Sequence, residues 1–266
     1  MAAHQESAAK QATRDLIFDA AKHLQRASLT YLGMPAENAY DIFTLKPLLQ
    51  NVICIDEKSV VLDETRRNIA GLTLKTKRFV VADIWEYLRQ DYPTETLLAD
   101  VTFLDFYGGG LHNEDPFAFE INGLRNYFSK HARHPAKAFV LAWTYMPRDR
   151  GRQKYIDTLS QILPADEMEL LRRTEGVNCR SAALRLLLMQ QCREHNLQIN
   201  LFQHALYKRI MNTMIVVFSR GPDSQCSLPL GDPRRLLIEP CCVYDSKNSV
   251  PRLVQLLDLP DTNIVK

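Results

Sequence analysis

Asn51-Val-Ile-Cys-Ile-Asp56 is apolar through its centre and closed by an acid. That is the pattern of a strand buried on both faces that meets solvent only at its carboxyl end. Arg78-Phe-Val-Val-Ala-Asp83 and Val101-Thr-Phe-Leu-Asp105 repeat it, and Ser28-Leu-Thr-Tyr-Leu-Gly33 gives the same form with glycine at the close. A fifth run, Lys137-Ala-Phe-Val-Leu-Ala-Trp-Thr-Tyr145, is apolar throughout. Helical stretches separate these runs: from Tyr40 to Leu49, from Ser59 (a capping residue) to Ala70, a short one over residues 84–90, and one through Phe117 to His131. Strands alternating with helices predict an α/β fold, a doubly wound and mostly parallel sheet with helices on both faces.

Outward from this centre, residues 7–26 place Ala12, Leu16, Ile17, Ala20, Ala21 and Leu24 at helical spacing and predict an amphipathic leading helix. Helical segments follow the fifth strand over residues 151–163 and again over 179–195. Residues 198–210 and 211–220 read as a late antiparallel strand pair closing the sheet. From Gly221 onward prolines interrupt every apolar run. The expected organisation is a leading helix over residues 1–27, the sheet domain over 28–220 and an irregular, proline-rich tail over 221–266 packed on that domain.

The composition fits a soluble globular protein. Hydrophobic residues make up 46% of the 266 and charged residues 24%, with a net charge of only +2. That balance excludes disordered and fibrous classes and does not by itself announce a nucleic-acid binder. The six cysteines form no CxxC pair, so no zinc site or disulfide framework is expected. With no apolar stretch of signal or membrane-spanning length, a cytoplasmic setting without membrane contact is the expectation.

Gly33, Asp56, Asp83 and Asp105 all fall where a parallel sheet presents its ligand, at the carboxyl ends of strands. Each has a task there. Glycine permits close backbone approach, and the following helix, opened by Pro35, offers free N–H groups to an anion. An acid ending the second strand can accept both hydroxyls of a ribose. Asp83 can accept from an exocyclic amine, with apolar Ile84 beside it to pack on a purine. Asp105-Phe-Tyr-Gly108 is the candidate catalytic segment: the carboxylate can orient or deprotonate an amine or hydroxyl, and Tyr107 can stack on a planar acceptor. For each single aspartate a turn or helix cap is an equally good reading; the ordered set favours a ligand site.

The arrangement resembles class I S-adenosylmethionine-dependent methyltransferases. Thr30-Tyr-Leu-Gly-Met-Pro35 is similar to their glycine-rich first motif, Val52-Ile-Cys-Ile-Asp56 to the ribose-binding second, Val80-Val-Ala-Asp-Ile84 to the adenine-binding third and Leu104-Asp-Phe-Tyr-Gly108 to the fourth. The resemblance covers roughly residues 28–220, including the late antiparallel pair. It implies S-adenosylmethionine as cofactor, held by Gly33, Pro35, Glu37, Asp56, Asp83, Ile84 and Asp105. The first motif departs from the family: Tyr31 stands where an acid is usual, a single glycine follows, and Glu37 is the candidate replacement acid.

Tyr145-Met-Pro-Arg-Asp-Arg-Gly-Arg-Gln-Lys154 follows the fifth strand and should lie at the same edge. Tyr145, Arg148 and Arg150 are therefore substrate-binding candidates, and an RNA or DNA acceptor is expected. Methylation of a small molecule or protein, or a non-catalytic binding module, are the alternatives. A nicotinamide-dependent oxidoreductase ranks lower because GxGxxG is absent, and no HExxH, P-loop or nucleophile-elbow sequence occurs.

Overall fold

The computed structural model describes residues 8–90, 98–106, 116–133, 138–145, 152–173, 178–207, 211–220, 241–244 and 252–254. Five parallel strands are laid down first: β1 (Leu29–Gly33), β2 (Leu49–Asp56), β3 (Thr76–Val81), β4 (Val101–Asp105) and β5 (Phe139–Tyr145). A hairpin follows, β6 (Gln198–Tyr207) and β7 (Met211–Ser219), and two short strands, β8 (Cys241–Tyr244) and β9 (Arg252–Val254), extend the sheet. The spatial order is β3-β2-β1-β4-β5-β7-β6-β8-β9, with β7 antiparallel to both β5 and β6. The proline-rich tail is therefore not wholly irregular. β8 joins the edge of β6, where register pairs His204 with Cys241, and β9 pairs antiparallel with β8.

Side chains alternate between two cores. One face buries Tyr31, Cys54, Phe103, Val140 and Val217 beneath α1 (Ala8–Lys22), α2 (Tyr40–Leu45) and α3 (Ser59–Asn68). The other buries Leu32, Ile55, Leu104, Trp143 and Phe218 beneath α4 (Ile84–Arg89), α5 (Pro116–Ala132), α6 (Arg152–Leu159), α7 (Ala165–Arg173) and α8 (Asn178–His195). With both faces covered, strand sequences are apolar at nearly every position, which is why they read as continuous runs. The helix expected over 151–163 ends at Leu159, and α7 is an additional one, with Asp166 and Glu167 in its first turn and Arg172 and Arg173 in its last.

Asp100, just before β4, fixes the amino-terminal edge. Its Oδ2 accepts from the Thr30 amide at 2.8 Å, its carbonyl accepts from the Val140 amide at 2.8 Å, and Arg26 bonds both Asp100 and the Ala138 carbonyl. The opposite, carboxyl-terminal edge is left for other groups.

Candidate ligand site at the carboxyl edge of the sheet

The order in which strands are added reverses between β1 and β4, which run parallel: β2 and β3 lie to one side of β1, β4 and β5 to the other. Such a switch point opens a crevice beyond the strand ends. The antiparallel β7 beside β5 completes the order. This is the Rossmann-like methyltransferase fold.

Register brings three expected residues to neighbouring strand ends. Gly33 pairs with Cys54 on β2 and with Phe103 on β4, so Asp56 and Asp105 each lie two residues beyond a Gly33 partner. Asp56 is half-buried, and its Oδ1 accepts from the Lys58 amide at 2.8 Å in a tight turn. The other oxygen has no partner among the described residues. Asp83 lies two residues beyond β3 and caps α4, its Oδ1 accepting from the Glu86 amide at 2.9 Å. The cap occupies one oxygen and holds the carboxylate at the edge.

Asp105 differs from both. Its Oδ1 is buried and has no hydrogen-bond partner among the described residues. Burial, reinforced by the Asp41 carboxylate, pushes its carboxyl up to about 6, against the opposing pull of Lys10 and Arg14. A buried acceptor without a donor costs free energy unless something fills it, so this is where an added ligand would gain most.

Beside it lies a cluster that sequence patterns did not reveal. The Tyr31 hydroxyl donates to Asp41 Oδ2 at 2.9 Å, and Arg14 Nε donates to Asp41 Oδ1 at 3.0 Å. Tyr31 is fully buried and Asp41 6% exposed. Burial and the Asp41 carboxylate raise the Tyr31 phenol well above its ordinary value, and the same pair of causes lifts the Cys54 thiol to about 12. The signal was faint but present: Arg14 sits three residues before Ile17 on the apolar stripe of α1, and Asp41 precedes buried Ile42. A charge on a buried stripe calls for a partner.

Other expectations are corrected. A Cβ on Gly33 would lie 2.2 Å from Tyr31 Oη, 2.6 Å from its Cζ and 2.9 Å from the Phe103 carbonyl oxygen. The space that glycine leaves is thus taken by Tyr31, not kept for a ligand. Glu37 is exposed and enters the fold through its carbonyl, which accepts from Asn68 Nδ2 at 2.8 Å; Asp41, not Glu37, is the acid behind β1. Pro35 is buried. Ile84 is 2% exposed and belongs to the core, leaving no face for a purine. Tyr145 is fully buried, its hydroxyl donating to Ser181 Oγ at 2.8 Å, so it does not stand at the edge as a stacking platform. Phe106 packs on Trp85 with ring centroids 5.1 Å apart and 12° between planes. Tyr107, Arg148 and Arg150 lie outside the described residues.

No family model matches the chain, and no curated protein matches it. Among solved structures it is similar to the N-methyltransferase NodS of Bradyrhizobium japonicum WM9 in complex with S-adenosyl-L-homocysteine, at 12% identity over 82% of this chain and 90% of that one, with a TM-score of 0.49. TrmK of M. capricolum, also in complex with S-adenosyl-homocysteine, aligns at 12% identity over 83% and 71%, TM-score 0.43. The precorrin-6y C5,15-methyltransferase of Geobacter metallireducens GS-15 aligns at 15% over 83% and 94%, TM-score 0.39. Likeness at this level says nothing of ligand or acceptor. No helix among the described residues is long and apolar enough to cross a membrane.

Proposed function

We propose that the chain binds S-adenosylmethionine along the carboxyl edge and transfers its methyl group to a nucleic acid. One observation carries the cofactor half: carboxylates at the ends of β2 and β4, on either side of the β1–β4 switch point, each keep an oxygen without a donor among the described residues. Asp56 suits the two ribose hydroxyls, which need an acceptor pair at a strand end. Asp83 keeps an oxygen for the exocyclic amine while its partner oxygen caps α4. Asp105 suits a cationic or hydroxylic group, since its Oδ1 is buried and without a donor among the described residues. Val81, 59% exposed and in register with Asp56, offers the apolar surface that Ile84 cannot.

Bound there, the cofactor would supply an electrophilic methyl group. The chain's own part is to align an acceptor lone pair with that methyl, keep water out and take up the acceptor's surplus proton. Asp105, with its carboxyl near 6, is mostly ionised at neutral pH yet basic enough to receive it.

The acceptor half rests on sequence: Arg148, Arg150, Arg152 and Lys154 follow β5 with one acid among them. Such a run suits phosphate contacts. Transfer of labelled methyl from S-adenosylmethionine to mixed-sequence RNA and DNA tests both halves. Turnover should appear at low salt and fall steeply as salt rises, because each phosphate contact releases counterions. Arg148→Ala with Arg150→Ala should flatten that dependence by up to about 2 log–log units. Methylation of neither nucleic acid, with cofactor still bound, would overturn the acceptor reading.

A further inference from the structure

Resting on the nucleic-acid half of that reading, we infer that a phosphate backbone docks along the flank formed by α3 and β3, on the opposite side of the switch point from the run that follows β5. From Thr65 to Ala82 the sequence holds five cations and no acid, in a chain whose net charge is only +2. β3 ends the sheet, and among the described residues no strand pairs with its outer side. The fold sets three of these cations in a row. Lys75 enters the sheet through its amide, which donates to the Gln50 carbonyl at 2.8 Å, and Lys77 and Phe79 follow at every second position on one face of β3. That face is turned to α3: Lys77 Nζ donates to the Ala70 carbonyl at 2.9 Å just past the helix, and the Arg66 guanidinium lies 4.7 Å from the centre of the Phe79 ring. Alternate residues of a strand recur at about 6.6 Å. Lys75, Lys77 and the Arg66 carried on Phe79 therefore form a line whose interval is close to that of every second phosphate along a duplex axis, about 6.8 Å. Lys75 and Arg66 are exposed and Lys77 is half-buried. Asp63 and Glu64 hold Arg66 and Arg67 at 2.7 and 2.8 Å, but every side chain in these pairs is at least 41% exposed, and exposed pairs of this kind are weak. One lysine would guard a sheet edge and one arginine would complement the end of α3. An aligned row serves a linear polyanion; neither a lone anion nor a flat anionic surface calls for one.

Fluorescence anisotropy with labelled mixed-sequence duplex DNA and single-stranded RNA, followed from low to physiological salt, reads these contacts. Lys75→Gln with Lys77→Gln should flatten the log–log salt dependence on duplex by up to about 2 units, since each phosphate contact contributes about 0.9. S-adenosylhomocysteine affinity should stay unchanged. Lys75→Gln alone, at an exposed position whose bond to Gln50 is made by the backbone, should flatten it by about 1 unit. The effect should add to that of Arg148→Ala with Arg150→Ala, because the two basic segments flank different strands. A slope that both lysine variants retain, with nucleic acid still bound, overturns the inference and leaves the acceptor reading to the run after β5. Poly-glutamate bound as tightly as nucleic acid, or phosphatidylserine vesicles bound in its place, overturns it too. Binding of neither RNA nor DNA at low salt overturns the inference and the acceptor reading together.

Discussion

Gly33→Ala should destabilise the fold through Tyr31 and not through a ligand. The added Cβ would sit 2.2 Å from Tyr31 Oη and 2.6 Å from Cζ, far inside van der Waals contact. Tyr31 has nowhere to go, being fully buried and tied to Asp41 at 2.9 Å. Overpacking of this kind costs about 1–3 kcal/mol, and loss of a hydrogen bond to a carboxylate about 1.5–3 kcal/mol. A combined penalty of about 3 kcal/mol would lower the melting temperature by about 6–12 °C in a chain of this size. Urea denaturation of a double-mutant cycle isolates the cause. In a Tyr31→Leu background the Gly33→Ala penalty should shrink by at least about 1 kcal/mol, the usual size of coupling between touching residues. It should not vanish, because the Phe103 carbonyl oxygen at 2.9 Å remains. A penalty equal in both backgrounds, or none at all, would refute the reasoning and return Gly33 to the ligand site.

Asp83→Ala removes the α4 cap and should cost about 1 kcal/mol in urea denaturation, with Asp83→Ser recovering most of it. His204 gives a pH signature. Its Nδ1 accepts from Arg185 at 2.8 Å, so its proton sits on Nε2, facing Asn212 Oδ1 at 3.1 Å. Burial first, then the adjacent Arg185 charge, hold its pKa well below the ordinary value. The unfolded chain protonates this residue below about 6.5 while the folded chain does not, so its contribution erodes as pH falls at about 1.4 kcal/mol per unit. Between pH 7.5 and 5.5 the unmodified protein should therefore lose about 1.4 kcal/mol more than His204→Gln; parallel losses would mean that the ring takes up a proton in place.

The fold was legible because both of its layers speak through local patterns. Runs such as Asn51 to Asp56 declare buried strands, and the hairpin of residues 198–220 lies where its β-favouring runs put it. Asp56 and Asp105 were legible as strand-end acids for the same reason. The short β8 and β9 were not: four and three residues amid prolines carry no pattern of their own, and they exist because β6 offers an edge. α7 had signals in its charged ends, which a reading centred on strands passed over. The Tyr31–Asp41–Arg14 cluster was hidden for a different reason. Its members lie 10 and 27 residues apart in sequence, and only the packing of α1 against α2, with β1 beneath them, brings them together. Ile84 and Tyr145 were misjudged because position along a strand or helix fixes an edge but not a face; both turn into the core.

The central claim, an adenosine-bearing ligand held at the strand ends, is tested most directly by titrating the folded protein with S-adenosylhomocysteine alongside Asp56→Ala. The account predicts saturable one-site binding that Asp56→Ala weakens by about 1.5–3 kcal/mol, the contribution of hydrogen bonds to a carboxylate, with the melting temperature preserved. No binding by the folded protein, or an affinity that Asp56→Ala leaves untouched, would contradict it.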